Sequence, residues 1–171
     1  MAREALLVVA PSNFRDEELF HTKEELESAG IKTTVASKTT SVARGMFGGT
    51  AKPDTTLEDV DVTKYDALVF VGGSGANVYF DDPTAHRLAR EAYENGKVVA
   101  AICIAPSTLA NAGLLRGKRA TCFPSEAGNL RGKDAVYTGK PVEQDGRIIT
   151  ADGPGSAREF GRVIARVVNQ L

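Results

Sequence analysis

The stretch Val98-Val99-Ala100-Ala101-Ile102-Cys103-Ile104-Ala105-Pro106 places a cysteine between an apolar run and the start of a helix. Five consecutive apolar residues are typical of a strand that is covered on both faces. Proline is favoured in the first turn of a helix, so Pro106 marks the beginning of that helix. The sulfur of Cys103 is therefore expected at a sharp strand-to-helix turn, where the positive end of the helix dipole favours the thiolate.

Further apolar runs resemble the one before Cys103, and they alternate with helical patterns. The runs cover residues 5–10, 31–36 and 67–71, and the helical patterns cover residues 16–29, 83–94, 106–112 and a last helix from Pro154. Alternation of this kind predicts a mostly parallel sheet with helices on both faces. We therefore predict an α/β fold, with a single domain over residues 1–171.

The remaining segments are less regular. Residues 118–122 and 135–138 are predicted strands, and the turn Asp145-Gly146 predicts a hairpin into residues 148–150. Residues 38–59 are rich in threonine and glycine and predict short edge strands. Within them, Met46 and Phe47 are candidates for a subunit interface or a lid over a site, and a plain surface hairpin fits the pattern equally well.

Composition narrows the classes of function. Hydrophobic residues make up 42% of the chain and charged residues 25%, which is ordinary for a globular protein. The net charge of −1 gives no indication of nucleic acid or of an anionic membrane as a partner. No apolar stretch has the length of a membrane span, and the first residues lack the apolar core of a signal peptide. With only two cysteines, we expect a cytoplasmic protein without a disulfide framework.

Three groups are expected to meet beyond the carboxyl ends of the parallel strands, where such sheets place their sites. They are Cys103, the acidic run of residues 16–18, and the pair Gly72-Gly73. A carboxyl group with a raised pKa would stay protonated and donate a hydrogen bond to a thiolate. The N–H groups of Gly73 and Ile104 are candidates for an oxyanion hole.

Each of these groups also has a purely structural interpretation. Cys103 can be a small buried hydrophobe, the acidic run can complement the helix dipole, and the glycines can form a tight turn. A nucleotide-binding loop is disfavoured, because Val78 stands where the last glycine of a GxGxxG pattern is required. Cys122 can resolve an oxidised Cys103 as a disulfide, but a buried small residue is the favoured interpretation.

Histidine is scarce in this chain. His21 and His86 are the only two, and neither shows ligand spacing with the cysteines. We therefore predict no metal site and no cofactor.

Five segments in order resemble the DJ-1/PfpI (ThiJ/PfpI) superfamily, in its DJ-1-like branch. Besides the Cys103 segment, they are Glu18 in the first predicted helix, the pair Gly72-Gly73, residues 53–59 and residues 145–155. The resemblance implies a flavodoxin-like three-layer sandwich of the class I glutamine amidotransferase type. In that fold Cys103 lies at a nucleophile elbow and Glu18 is its proton-handling partner.

The resemblance also implies a function. It suggests a cofactor-free activity on small reactive carbonyls, glyoxalase-like or deglycase-like, with a redox-sensing or chaperone-like role of Cys103 as the alternative. Peptidase-like members carry a histidine directly after the cysteine, whereas this chain has Ile104, so peptidase activity is disfavoured. DJ-1-like members carry a histidine before a proline near the site, where this chain has Phe123.

Pocket residues and assembly complete the expectations. We expect Gly72, Asn13, Phe14, Ile104 and Phe123 to line a pocket that takes a small carbonyl substrate or an oxidant. The resemblance implies a homodimer or a larger homo-oligomer.

Overall fold

The computed structural model describes residues 2–171. They form three layers, with one large sheet between two layers of helices. The strands are β1 (Glu4–Val8), β2 (Ser12–Phe14), β3 (Lys32–Ser37), β4 (Ala43–Gly45), β5 (Thr50–Ala51), β6 (Thr55–Thr56), β7 (Ala67–Phe70), β8 (Val98–Ile102), β9 (Arg119–Ala120), β10 (Val136–Tyr137), β11 (Val142–Asp145) and β12 (Ile148–Ala151). The helices are α1 (Asp16–Ser28), α2 (Pro83–Glu94), α3 (Pro106–Asn111), α4 (Ala127–Gly132) and α5 (Ala157–Val168).

The central sheet has seven strands in the order β11-β12-β8-β7-β1-β3-β6. All neighbouring pairs are parallel except β11 and β12, which form an antiparallel hairpin across the predicted Asp145-Gly146 turn. Gly146 takes a positive φ of 61°, which suits the tight turn that an Asp-Gly pair favours. The predicted α/β class and mostly parallel sheet are confirmed.

Two apolar layers cover the sheet, because successive side chains of each buried strand point to opposite faces. On β1, Leu6 and Val8 join the layer beneath α2 and α3, whereas Ala5 and Leu7 join the layer beneath α1 and α5. Helix α5 contributes the largest apolar stripe to the second layer, including the fully buried Phe160. The sheet is thus buried on both faces, which explains why its strands are continuously apolar.

The structure corrects several predicted boundaries. The sequence predicts a break at residues 11–13, whereas Ser12–Phe14 forms the short strand β2, which pairs with β4. Helix α4 was not predicted, because the glycines at its second and last positions weaken any helical pattern. Pro154 begins a single 3-10 turn over Pro154–Ser156, and α5 follows only from Ala157.

Among residues 2–171, no helix is both long and apolar enough to cross a membrane.

Candidate active site

Cys103 occupies a strained turn directly after β8. Its φ of 67° lies in the left-handed region, which a residue with a Cβ rarely enters. Neighbouring segments hold this turn on both sides: the Cys103 N–H donates to the carbonyl of Ala151 at 2.9 Å, and the Phe123 N–H donates to the carbonyl of Cys103 at 2.7 Å. The sulfur-bearing residue is therefore fixed between the ends of β8 and β12 and the segment after β9.

Glu18 reaches the same place from the first turn of α1. Its side chain is completely buried, and neither carboxyl oxygen has a well-aligned hydrogen-bond partner among the described residues. Burial raises the pKa of Glu18 to about 8, although the nearby Cys103 thiol and the Gly72 backbone act to lower it. Glu18 is therefore mainly protonated at neutral pH, as expected for a carboxyl group that donates to a thiolate.

The protonation of Cys103 differs from the expectation. Burial raises the pKa of the Cys103 thiol to about 12, and negative charge on Glu18 raises it as well, whereas the backbone N–H groups of Gly73 and Ile104 lower it. Burial of the sulfur thus acts against the thiolate that the helix start is expected to favour.

Cys103 and Glu18 are best treated as one coupled acid. When the pair has lost one proton, the remaining proton lies either on the sulfur or on the carboxyl oxygen. The form with a protonated Glu18 and a Cys103 thiolate is then available without placing two negative charges side by side. The backbone donors of Gly73 and Ile104 stabilise that form.

The glycine pair after β7 allows the three segments of the site to approach one another. A side chain at Gly72 would overlap the Glu18 carboxyl group and the Cβ of Cys103. Gly73 has a φ of 102°, and a side chain there would collide with the backbone of residues 13–15. The glycines are thus required by close packing, and Gly73 also directs its N–H toward the sulfur.

An open pocket of about 260 Å³ leads from solvent to Cys103, which is 8% exposed. Its walls are mostly apolar. The residues that line it are Arg15, Met46, Gly73, Ser74, Cys103, Ile104, Phe123, Ser125 and Pro154.

Four of the eight predicted site residues line this pocket, whereas Glu18 is buried beneath it and the other three lie outside it. Gly73, Cys103, Ile104 and Phe123 line it. Phe14 was predicted wrongly, because its side chain points from β2 into the core and is fully buried there. Asn13 also does not line the pocket, and only its carbonyl lies against Gly73. Gly72 lies beneath the pocket, between Glu18 and Cys103.

Sequence reasoning missed four lining residues. They are Arg15, Ser74, Ser125 and Pro154. Arg15, Ser74 and Pro154 follow strand ends or stand next to predicted site residues, so the convergence of strand ends could have indicated them. Met46 forms part of the wall, in agreement with the lid interpretation, whereas Phe47 beside it is 66% exposed.

The other candidate residues lie away from the pocket. Neither His21 nor His86 lines it, and His86 bonds the carbonyl of Phe80 through Nε2 at 2.7 Å. Cys122 packs in the apolar layer beneath α2 and α3, whereas Cys103 belongs to the layer on the opposite side of the sheet. Both cysteines are free, and their placement in different layers favours the structural interpretation of Cys122. In the described part of the chain, no three His, Cys, Asp or Glu residues are grouped to hold a metal ion.

Comparison with known proteins agrees with this geometry. Residues 3–167 match the model of the DJ-1/PfpI family. The solved structure of a ThiJ/PfpI domain protein from Brachyspira murdochii superposes with a TM-score of 0.96 at 36% identity, covering 98% of this chain and 97% of that one.

Two relatives have names that describe an activity. A deglycase of Pyrococcus abyssi is 30% identical, over 93% of this chain and 98% of its own length. A glutathione-independent glyoxalase of Caenorhabditis elegans is 26% identical, over 97% of this chain and 89% of its own length. With a strained cysteine paired to a buried glutamate in a matching fold, the chain belongs to the DJ-1/PfpI family.

Proposed function

We propose that this protein is a cysteine-dependent enzyme that acts, without a cofactor, on small reactive carbonyl compounds such as methylglyoxal. The observation that carries the proposal is the placement of the Cys103 thiol beside a buried, protonated Glu18 at the floor of an open pocket. A nucleophile and a proton carrier in contact are what addition to a carbonyl group requires. The relatives named as a deglycase and a glyoxalase support this class of substrate.

The first step is addition to the aldehyde. The Cys103 sulfur attacks the aldehyde carbon, a carbon–sulfur bond forms, and the electrons of the C=O π bond move to oxygen. The sulfur reacts as the thiolate of the pair that has lost one proton, and the new alkoxide oxygen takes the remaining proton from Glu18. The product is a neutral hemithioacetal beside a Glu18 carboxylate. The N–H groups of Gly73 and Ile104 stabilise negative charge at this point of the site.

The second step moves hydrogen between the two carbons of methylglyoxal. The Glu18 carboxylate takes the proton from the former aldehyde carbon and returns it to the neighbouring carbon. The hydroxyl proton moves to the former ketone oxygen, and the hemithioacetal becomes a thioester of lactate. Water then cleaves the thioester to lactate and restores the thiol. The aldehyde carbon is oxidised and the ketone carbon is reduced, so no external electron carrier is needed.

The described residues that line the pocket include no histidine, and we expect this to lower the rate of turnover. Ile104 and Phe123 line the pocket where a histidine would provide a second proton carrier. A single carboxyl group must then serve every transfer, and with a pKa near 8 it carries its proton in most molecules at pH 7. We therefore expect slow turnover. We also expect no peptidase activity, because that reaction needs a base that activates the thiol and then protonates the amine leaving group.

Lactate formation from methylglyoxal tests this function. The wild type should form lactate, whereas Cys103→Ala should reduce the rate to background and Glu18→Gln should reduce it at least about a hundredfold, the usual size of a general acid–base contribution. Circular dichroism of each variant checks that the fold is retained. Equal rates in all three proteins would show that the site does not catalyse the reaction.

A redox role is the second candidate, favoured by the open pocket that connects the buried Cys103 with solvent. Peroxide would oxidise the thiol to a sulfenic and then a sulfinic acid, and protonated Glu18 would donate a hydrogen bond to the product. Mass spectrometry after mild peroxide treatment tests it. Selective addition of oxygen at Cys103 supports the role, and equal oxidation of Cys103 and the methionines contradicts it.

A further inference from the structure

Arg15 gives the pocket a feature that carbonyl chemistry alone does not require. Of the described residues that line the pocket, it alone is charged. It stands directly before α1. The hydrogen bond to Glu17 is the main reason that the pKa of the Arg15 guanidinium is raised, and the charges of Glu18 and Cys103 raise it further. The positive charge therefore acts on the reacting atoms.

The guanidinium group is held in place from two sides. Its Nε and Nη2 atoms donate to the two carboxylate oxygens of Glu17 at 3.1 and 2.8 Å. Its flat face lies over the ring of Phe47, with 4.6 Å between the guanidinium carbon and the ring centroid. Such a group loses little side-chain entropy when it binds a ligand.

Donors remain free on the fixed guanidinium. A guanidinium group has five N–H donors, and Glu17 accepts hydrogen bonds from only two of its nitrogens, Nε and Nη2. Within residues 2–171, Nη1 makes no hydrogen bond, and the Arg15 side chain is 28% exposed. The remaining pocket walls, including Met46, Ile104 and Pro154, offer no competing charge.

We propose that Arg15 makes this pocket select carbonyl compounds that carry a carboxylate group beside the aldehyde, of which glyoxylate is the smallest. The aldehyde carbon meets Cys103 and the carboxylate meets the free side of Arg15. The planar carboxylate suits the donors of a guanidinium group. This inference rests on the proposed function, because it takes Cys103 as the group that meets the carbonyl carbon.

The expected adduct balances without any added reagent. The Cys103 sulfur forms a bond to the aldehyde carbon of glyoxylate, the π electrons move to oxygen, and the thiol proton reaches that oxygen through Glu18. The product is a reversible hemithioacetal that keeps the carboxylate and its charge. Only a compound with a ketone or second aldehyde carbon beside the aldehyde can continue to a thioester.

Alkylation of Cys103 by two matched reagents tests the selection of anions. Iodoacetate and iodoacetamide have nearly the same size and leaving group, and only iodoacetate is charged. The ratio of their rates at Cys103, divided by the same ratio for free glutathione, reports the charge preference of the pocket. Arg15→Gln should lower this normalised ratio about fivefold, the effect of one partly exposed ion pair.

Two other variants sharpen the result. Glu17→Gln removes the anion nearest Arg15 and should raise the ratio, so the two substitutions should have opposite effects. Arg87→Gln removes an exposed arginine that pairs with Glu91 on α2, and it should leave the ratio unchanged. An unchanged ratio in Arg15→Gln, or a shift in the same direction in Arg15→Gln and Glu17→Gln, overturns the proposal.

Protection by aldehydes gives the second readout. Glyoxylate should slow iodoacetamide labelling of the wild type more than neutral glycolaldehyde does, and Arg15→Gln should remove the difference. Neither readout depends on turnover. If no lactate forms but both readouts follow Arg15, the proposed function fails and the anion preference stands. If lactate forms but neither readout depends on Arg15, the anion preference is wrong.

Discussion

Glu18 and Cys103 decide the reactivity of the site, and their shared protons make that reactivity depend on pH. The pKa of Glu18 is raised to about 8 by burial, so the pair should lose its first proton near that pH. Iodoacetamide labelling of Cys103 should therefore accelerate between about pH 7 and 9. Glu18→Gln has no proton to lose there and should show no such step. Its rate should rise only at higher pH, where the thiol itself ionises.

Glu17→Gln is a suitable control for this pH profile, because Glu17 is part-exposed and pairs with Arg15 instead of the thiol. It should retain the step near pH 8. A Glu18→Gln profile identical to that of the wild type would show that the thiol titrates independently of Glu18.

The same buried carboxyl group links the stability of the fold to pH. Glu18 has its ordinary pKa near 4.5 in the unfolded chain and about 8 in the folded protein, so unfolding releases a proton between these values. The free energy of unfolding should therefore fall as pH rises from about 4.5 to about 8, by on the order of a few kcal/mol from this group. Glu18→Gln should lack this loss. Urea denaturation at pH 5 and pH 8 measures the free energy of unfolding of both proteins. An equal change between the two pH values in the wild type and in Glu18→Gln would contradict this prediction.

At the scale of elements, close contacts with α1 and the end of β8 leave no room for a side chain at Gly72, in the loop after β7. Gly72→Ala places a methyl group against Glu18 and Cys103, so we expect a loss of about 3 kcal/mol in the free energy of unfolding and slower labelling of Cys103. Gly128→Ala is the matched control. It lies in α4 with no atom within 4 Å of the added carbon, and it should be neutral or stabilising by up to about 1 kcal/mol. Chemical denaturation compares the two, and an equal effect of both would contradict this account.

The loop between β4 and β5 depends on one carboxylate of α1. Asp16 accepts the N–H groups of Phe47 at 2.9 Å and Gly49 at 2.7 Å, and so fixes the segment that brings Met46 to the pocket wall. Asp16→Ala leaves both donors without that acceptor and should cost about 1–3 kcal/mol. Hydrogen exchange should accelerate at Phe47 and Gly49 and remain unchanged in α5. Uniform acceleration over the chain would indicate general destabilisation instead.

At the scale of the whole molecule, stability depends on the two apolar layers. Phe160 of α5 is completely buried in the layer that also contains Cys103. Phe160→Ala should cost about 3–5 kcal/mol, because it leaves a cavity under α5. Val136→Ala, at a side chain that is 52% exposed, should change stability by less than about 0.5 kcal/mol. Thermal and urea denaturation compare them, and similar losses would contradict the assignment of the core.

Features that depend on local sequence patterns could be predicted from the sequence, whereas features that depend on contacts between distant segments could not. The buried strands and the cysteine turn leave local patterns, so the sheet and the meeting of Cys103 with Glu18 could be predicted. The pocket wall depends on loops from distant parts of the chain, so Arg15 and Ser125 were missed. Phe14 was misplaced because a side chain after a strand can point inward or outward, and only the pairing of β2 with β4 decides. The protonation of Cys103 depends on its burial, which has no local pattern.

The clamped backbone of Cys103 has a consequence for how this scaffold can change. Its N–H and carbonyl are bonded to two other segments, so the attacking atom is a fixed point around which the other parts can vary. Substitutions that alter selectivity are then expected at the rim, at positions such as Arg15, Met46 and Phe123, where a new side chain does not disturb the turn. One reactive centre can thus be adapted to many substrates by exchanging only the residues that surround its entrance.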